Sequence, residues 1–228
     1  RICADRDEVY ACRRIGDYYL DGIVVERDLI EAKHWYEKAA EQNDLDAMQK
    51  LAYIYVVGES VAPNYEKASK LSEEPLKKDM AVAQYVKAFL CENGFYERKQ
   101  PKVAEQYYIK SAEKGFEPAK EPAALAQYKR SGQIDELLKL KTIKRGKTNY
   151  ILGTEYINGT LVKKNVKKGL NYLTAAASQG SSEAYLALGK LYKEGKQVKR
   201  NNRKAQNYFK DAAALGNKEA EQYLQSNK

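Results

Sequence analysis

The residues best able to do chemistry in this 228-residue chain are few and scattered. His34 is the single imidazole, and no second His stands ready to share a metal ion with it. No two of Cys3, Cys12 and Cys91 have the two-residue spacing of a zinc or redox motif. Cys3 and Cys12 are close in sequence, and an oxidising compartment would allow a bridge stapling the first helix to the chain entering it. Gly146-Lys147-Thr148 reads like the end of a phosphate loop. That loop needs a Gly five residues before Gly146, and Lys141 occupies the place. A Cys or Ser nucleophile paired with His34 would also need a third, orienting group. These residues predict no catalytic centre, no metal and no cofactor.

Charge carries more information than the titratable side chains taken singly. The net charge is +9, but residues 1–100 hold 15 basic against 19 acidic residues, a net −4. Residues 101–228 hold 25 against 12, a net +13. Lys163–Lys164 and Lys199–Arg200 fall at matching places 36 residues apart, so they should stack as a basic ridge. Such a ridge suits an acidic protein partner or contact with an anionic membrane surface, and its plainer reading is a solvated face. No aromatics interleave these links, and Lys predominates over Arg, so nucleic acid is not the expected partner.

The elements that position these side chains are repeats. Gly22, Gly58 and Gly94 are spaced by 36, as are Gly159 and Gly195. Ala11, Ala47, Ala83 and Ala119 keep the same interval, and Ala184 and Ala220 resume it. A third column runs Asp28, Asn64, Gln100, Asn165 and Asn201, and a fourth Trp35, Leu71, Tyr107, Tyr172 and Tyr208. The step from Gly94 to Gly159 is seven residues short of two periods, so one middle unit is abbreviated. Six units therefore begin near residues 9, 45, 81, 117, 146 and 182, and residues 217–228 add part of a further helix.

Each unit reads as a helix pair. Ala47, Leu51, Ile54 and Tyr55 share one helical face, Gly58 stops that helix, and Asn64 can cap the next. Pro75 falls where other units carry an Ala pair, which predicts that the second helix there ends early or kinks. In the short unit the second helix is expected over Ile134 to Lys144. A composition of 43% hydrophobic and 31% charged residues is that of a globular chain, and the repeated helix pairs predict an all-α fold class: one α/α superhelical solenoid domain over 1–228, with about six helix-turn-helix repeats.

The spacing resembles the Sel-1-like repeat, a relative of the tetratricopeptide repeat. The likeness rests on Ala184, Leu188, Gly189, Tyr192, Gly195 and Val198, then Ala205, Tyr208, Phe209, Ala212, Ala213 and Gly216. The first unit repeats it through Ala11, Ile15, Gly16, Tyr19, Gly22, Ala32, Trp35, Tyr36, Ala39 and Ala40. It also accounts for the 19 tyrosines, most of which stand in repeat columns.

The resemblance implies a non-enzymatic scaffold that binds another protein or peptide on its concave surface, in the bacterial envelope or exported. The chain's start at Arg1 fits a mature, signal-cleaved or truncated protein, and a periplasmic or secreted place is expected, with the cytoplasm as the other option. An immunity protein that neutralises a secreted toxin is the second reading. Tetratricopeptide geometry would place Arg13, Asp17, Gln49, Tyr53, Tyr85, Phe89, Tyr150, Thr154 and Lys190 on the binding face. Exposed aromatics there suit a binding stripe, and packing of those rings on one another is the equal alternative.

Overall fold

Asn64, Asn165 and Asn201 each accept a backbone N–H in their side-chain oxygen at 2.9 Å, from Lys67, Lys168 and Lys204. These caps open three 13-residue helices, as the sequence columns predict. The structure is a computed structural model describing residues 2–96, 98–140 and 146–225, with side chains from residue 8 onward. In chain order the described helices are α1 (Ile2–Asp21), α2 (Leu29–Ala40), α3 (Leu45–Val57), α4 (Tyr65–Lys77), α5 (Ala81–Asn93), α6 (Pro101–Glu113) and α7 (Glu117–Ser131). They continue as α8 (Asp135–Lys139), α9 (Gly146–Asn158), α10 (Val166–Ser178), α11 (Ser182–Glu194), α12 (Asn202–Ala214) and α13 (Lys218–Gln225).

One device joins the two helices of a pair. The glycine that ends the first helix lies in the left-handed region, at φ 65° in Gly58 and 69° in Gly195, where a side chain would strain the backbone. The chain then turns back, and the cap residue donates its backbone N–H to a carbonyl nine residues earlier. Asn64 reaches Tyr55 at 3.1 Å, Asn165 reaches Tyr156 at 2.8 Å, and Asn201 reaches Tyr192 at 2.9 Å. Asp28 and Gln100 make the same bond to Tyr19 and Cys91.

Small residues set how closely the paired helices approach. A Cβ at Gly16 would lie 2.7 Å from the Tyr36 ring, at Gly153 2.7 Å from Leu173, and at Gly189 2.6 Å from Phe209. In each case the second helix presses its largest inner side chain onto the bare backbone of the first.

The chain forms two compact units, Arg1–Ala126 and Gln127–Lys228. Tyr36, Leu51, Ile54, Val86 and Leu90 are buried in the first, and Leu152, Ile157, Leu173 and Leu188 in the second.

Two local expectations change. Helix α4 runs through Pro75 to Lys77 with the length of its neighbours. Pro75 is itself buried, and the helix end is tied down beyond it by Lys78 N–H to Glu74 O and Met80 N–H to Pro75 O. In the short repeat, α8 stops at Lys139, well before Lys144, and residues 141–145 lie outside the described part. Cys12 is buried, whereas the side chain of Cys3 lies outside the described part, and with it the Cys3–Cys12 bridge.

Candidate functional site

The polar residues expected on the first-helix face of the first unit are taken up by joints between repeats. Arg13 on α1 forms ion pairs at 3.2 Å with both Asp44 and Asp46 at the start of α3. Asp17 is buried and accepts from the Tyr36 hydroxyl at 2.8 Å, Lys50 Nζ at 2.6 Å and Arg14 Nη1 at 3.1 Å. Gln49 is buried as well, its side-chain carbonyl accepting the backbone N–H groups of Val82 and Ala83.

The aromatic residues on that face form a braced surface. Tyr53 and Tyr85 stand edge to face at 5.7 Å, and each meets Phe116, at 5.4 and 5.3 Å. Such contacts match the positive edge of one ring to the negative face of another. Beside this triangle, Phe89 lies 6.2 Å from Tyr65 and 6.1 Å from Phe95, which stack on each other at 4.2 Å. Tyr53, Tyr85 and Phe89 are half-buried, while Phe95 and its neighbour Tyr96 are exposed. The rings pack on one another and keep an open side. Sequence alone does not single out Phe116, Tyr65 and Phe95, which stand outside the first helices of their repeats. The only available signal was their aromatic type.

Burial, then the neighbouring Tyr53 and Glu92, pushes the Tyr85 hydroxyl up to about 12. The Tyr53 hydroxyl is raised too, first by burial and then by Glu59. These hydroxyls stay protonated near neutrality and offer hydrogen bonds rather than nucleophiles. His34 is exposed, its ring edge-on to Trp35 at 5.6 Å. Among the described residues, no cluster of three His, Cys, Asp or Glu side chains could hold a metal ion. No described helix is long and apolar enough to cross a membrane.

In the second unit, Tyr150 and Thr154 are half-buried, and the Thr154 hydroxyl donates to the Tyr150 carbonyl at 2.5 Å. Lys190 pairs with Glu219 at 2.6 Å. Lys163, Lys164, Lys199 and Arg200 are exposed, and among the described residues none of the four has a carboxylate partner. Aromatics do stand close to these basic links. Tyr156 stacks on Tyr172 with Lys168 4.3 Å over its ring, and Tyr192 stacks on Tyr208 with Lys204 5.2 Å over its ring. The Tyr and Lys columns carried that signal, but in helices flanking the links rather than within them.

A family model described as the Sel1 repeat matches residues 9–44, 45–73, 81–116, 147–181 and 182–217. The unmatched stretch contains the abbreviated α7–α8 repeat. Among solved structures, the fold resembles a protective antigen of uropathogenic Escherichia coli strains displaying an SLR fold. The TM-score is 0.62 at 22% identity, over 97% of this chain and 49% of that one. A Sel1 repeat protein from Oxalobacter formigenes gives a TM-score of 0.60 at 25% identity, over 90% of this chain and 87% of that one. Chitin synthase regulatory factor 3 of Schizosaccharomyces pombe is 36% identical over 88 residues, 38% of this chain and 9% of that protein. The chain thus spans under a tenth of that curated relative and about half of the antigen.

Proposed function

Because the chain belongs to the Sel1 repeat family, whose members are protein-interaction scaffolds of the helix-pair solenoid class, we propose that it is a non-enzymatic adaptor for a partner protein or peptide. The observation that carries this reading is the ring surface of Tyr53, Tyr85, Phe89, Phe95 and Phe116 in the first unit. Rings already held by one another lose little freedom when a partner covers them, so more of the contact energy remains as affinity. Aromatic anchors of this kind are also the residues that dominate measured interfaces.

The exposed cations of the second unit favour an acidic partner, and the reading places the scaffold in a bacterial envelope or among exported proteins. Affinity capture from the native organism, fractionated into envelope, secreted and cytoplasmic pools, tests both parts. Proteins retained by the wild-type chain and lost with a Tyr53→Ser, Phe89→Ser variant of unchanged melting temperature are the expected result. Equal capture by the variant would move docking away from the rings. A tight one-to-one complex with a secreted toxin would turn the adaptor into an inhibitor.

A further inference from the structure

A cavity of about 250 Å³ opens in the second unit among α11, α12 and α13. Its lining is divided by chemistry. Ala205, Phe209 and Leu224 are apolar, and Phe209 stacks on Tyr223 at 4.6 Å with the ring planes 7° apart. Facing them in the lining are Lys193 and Arg200, with the amides of Asn202 and Gln206.

Both cations are held in place without being neutralised. Lys193 Nζ rests 4.3 Å over the Tyr223 ring, a contact that orients an ammonium but leaves its charge in place. Arg200 donates from Nε to Asn202 Oδ1 at 3.1 Å, which leaves the two terminal nitrogens as a fork. Neighbouring cations behave differently: Lys190 pairs with Glu219 and Lys196 with Glu194. Among the described residues neither Lys193 nor Arg200 has a carboxylate partner.

We propose that this cavity receives an acidic side chain of a partner polypeptide, Glu or Asp, together with the apolar residue beside it. The carboxylate meets the Arg200 fork and the Lys193 ammonium, in the geometry that gives strong, paired, charge-assisted hydrogen bonds. The apolar neighbour covers the Phe209–Tyr223 stack. Size favours a peptide over a nucleotide. At about 250 Å³ the cavity is on the scale of one or two side chains, below the usual size of a small-molecule pocket. The proposal rests on the scaffold reading but concerns the other unit of the chain, so either can fail alone.

The test is fluorescence anisotropy of the full chain with a labelled peptide of repeated Glu-Phe pairs, against the same peptide with Gln for Glu. The Glu peptide should bind at least tenfold tighter than the Gln peptide. Arg200→Gln and Lys193→Gln should each remove that difference without lowering the melting temperature, and Lys193→Arg should restore it. Equal binding of the two peptides, no binding of either, or undiminished binding by both Gln variants would overturn the proposal. Inorganic phosphate that binds at Arg200 while the Glu peptide does not would make this a free-anion site instead. Loss of the Glu peptide in a Tyr53→Ser variant would place that peptide on the rings and overturn the assignment equally.

Discussion

Gln49 and Val82 are 33 residues apart, yet the Gln49 side-chain carbonyl accepts the Val82 N–H at 3.1 Å and the Ala83 N–H at 3.3 Å. Helix α5 begins at Ala81, and Met80 in the cap position before it has no side-chain oxygen to offer, so the preceding repeat supplies the acceptor. Replacing Gln49 with Leu strands two buried donors and should destabilise the fold by about 1–2 kcal/mol. Urea denaturation would read this, and Met80→Asp in the same background should recover most of it through a local cap. An unchanged midpoint in the single variant would mean that the bond contributes nothing.

The same interval recurs, and it explains what the sequence concealed. Arg13 pairs with Asp46 and Asp17 with Lys50, again 33 residues apart. This is one repeat less about one helical turn, the offset at which first helices of successive repeats meet. Period 36 was visible because Gly and Ala are demanded by backbone geometry at every turn of the solenoid. The 33-residue pairs were not, because they use different residue types in each repeat. Asn43 and Asp79 were likewise hidden. They take the left-handed place that Gly115, Gly180 and Gly216 fill elsewhere, at φ 61° and 57°, which Asn and Asp tolerate. The ring surface was half legible: first-helix periodicity named Tyr53, Tyr85 and Phe89, but only tertiary packing brings Phe116, Tyr65 and Phe95 to them.

Gly189 offers a direct test of helix spacing. A Cβ there would lie 2.6 Å from the ring of Phe209, which is buried and stacked on Tyr223, so the ring can give way only by disturbing that stack and the cavity it lines. Gly189→Leu should cost about 1–3 kcal/mol through overpacking. A thermal melt that matches the wild type would show that α11 and α12 separate freely.

The exposed ridge should act on rates more than on affinity. Lys163, Lys164 and Lys199 make no ion pairs among the described residues, so their field extends into solvent. With an acidic partner, reversing all three to Glu should slow association about tenfold or more at low salt and leave dissociation nearly unchanged. Added salt should erase the difference, since the Debye length falls to about 8 Å at physiological ionic strength. Stopped-flow traces indifferent to both charge and salt would return the ridge to a solvated surface.

Alkaline pH should loosen the first unit through its tyrosines. Burial and then a hydrogen bond to Glu37 push the Tyr55 hydroxyl up to about 12, and burial does the same for Tyr85. Burial and the adjoining carboxylates Asp17 and Glu92 push Tyr36 and Tyr108 higher still. A hydroxyl harder to ionise folded than unfolded stabilises the fold fully below the unfolded pKa of about 10. That contribution falls as pH climbs from there through the folded value, by up to about 1.4 kcal/mol per pH unit for a well-shielded group and by less for Tyr55, which solvent screens more. The melting temperature should therefore hold below pH 10 and drop between pH 10 and 12. Over that range, tyrosinate absorbance at 295 nm should lag behind that of the urea-unfolded chain. Tyr85→Phe should make the decline shallower. Complete ionisation by pH 11 with helicity intact would show that these hydroxyls are open to solvent and contribute nothing to the alkaline transition.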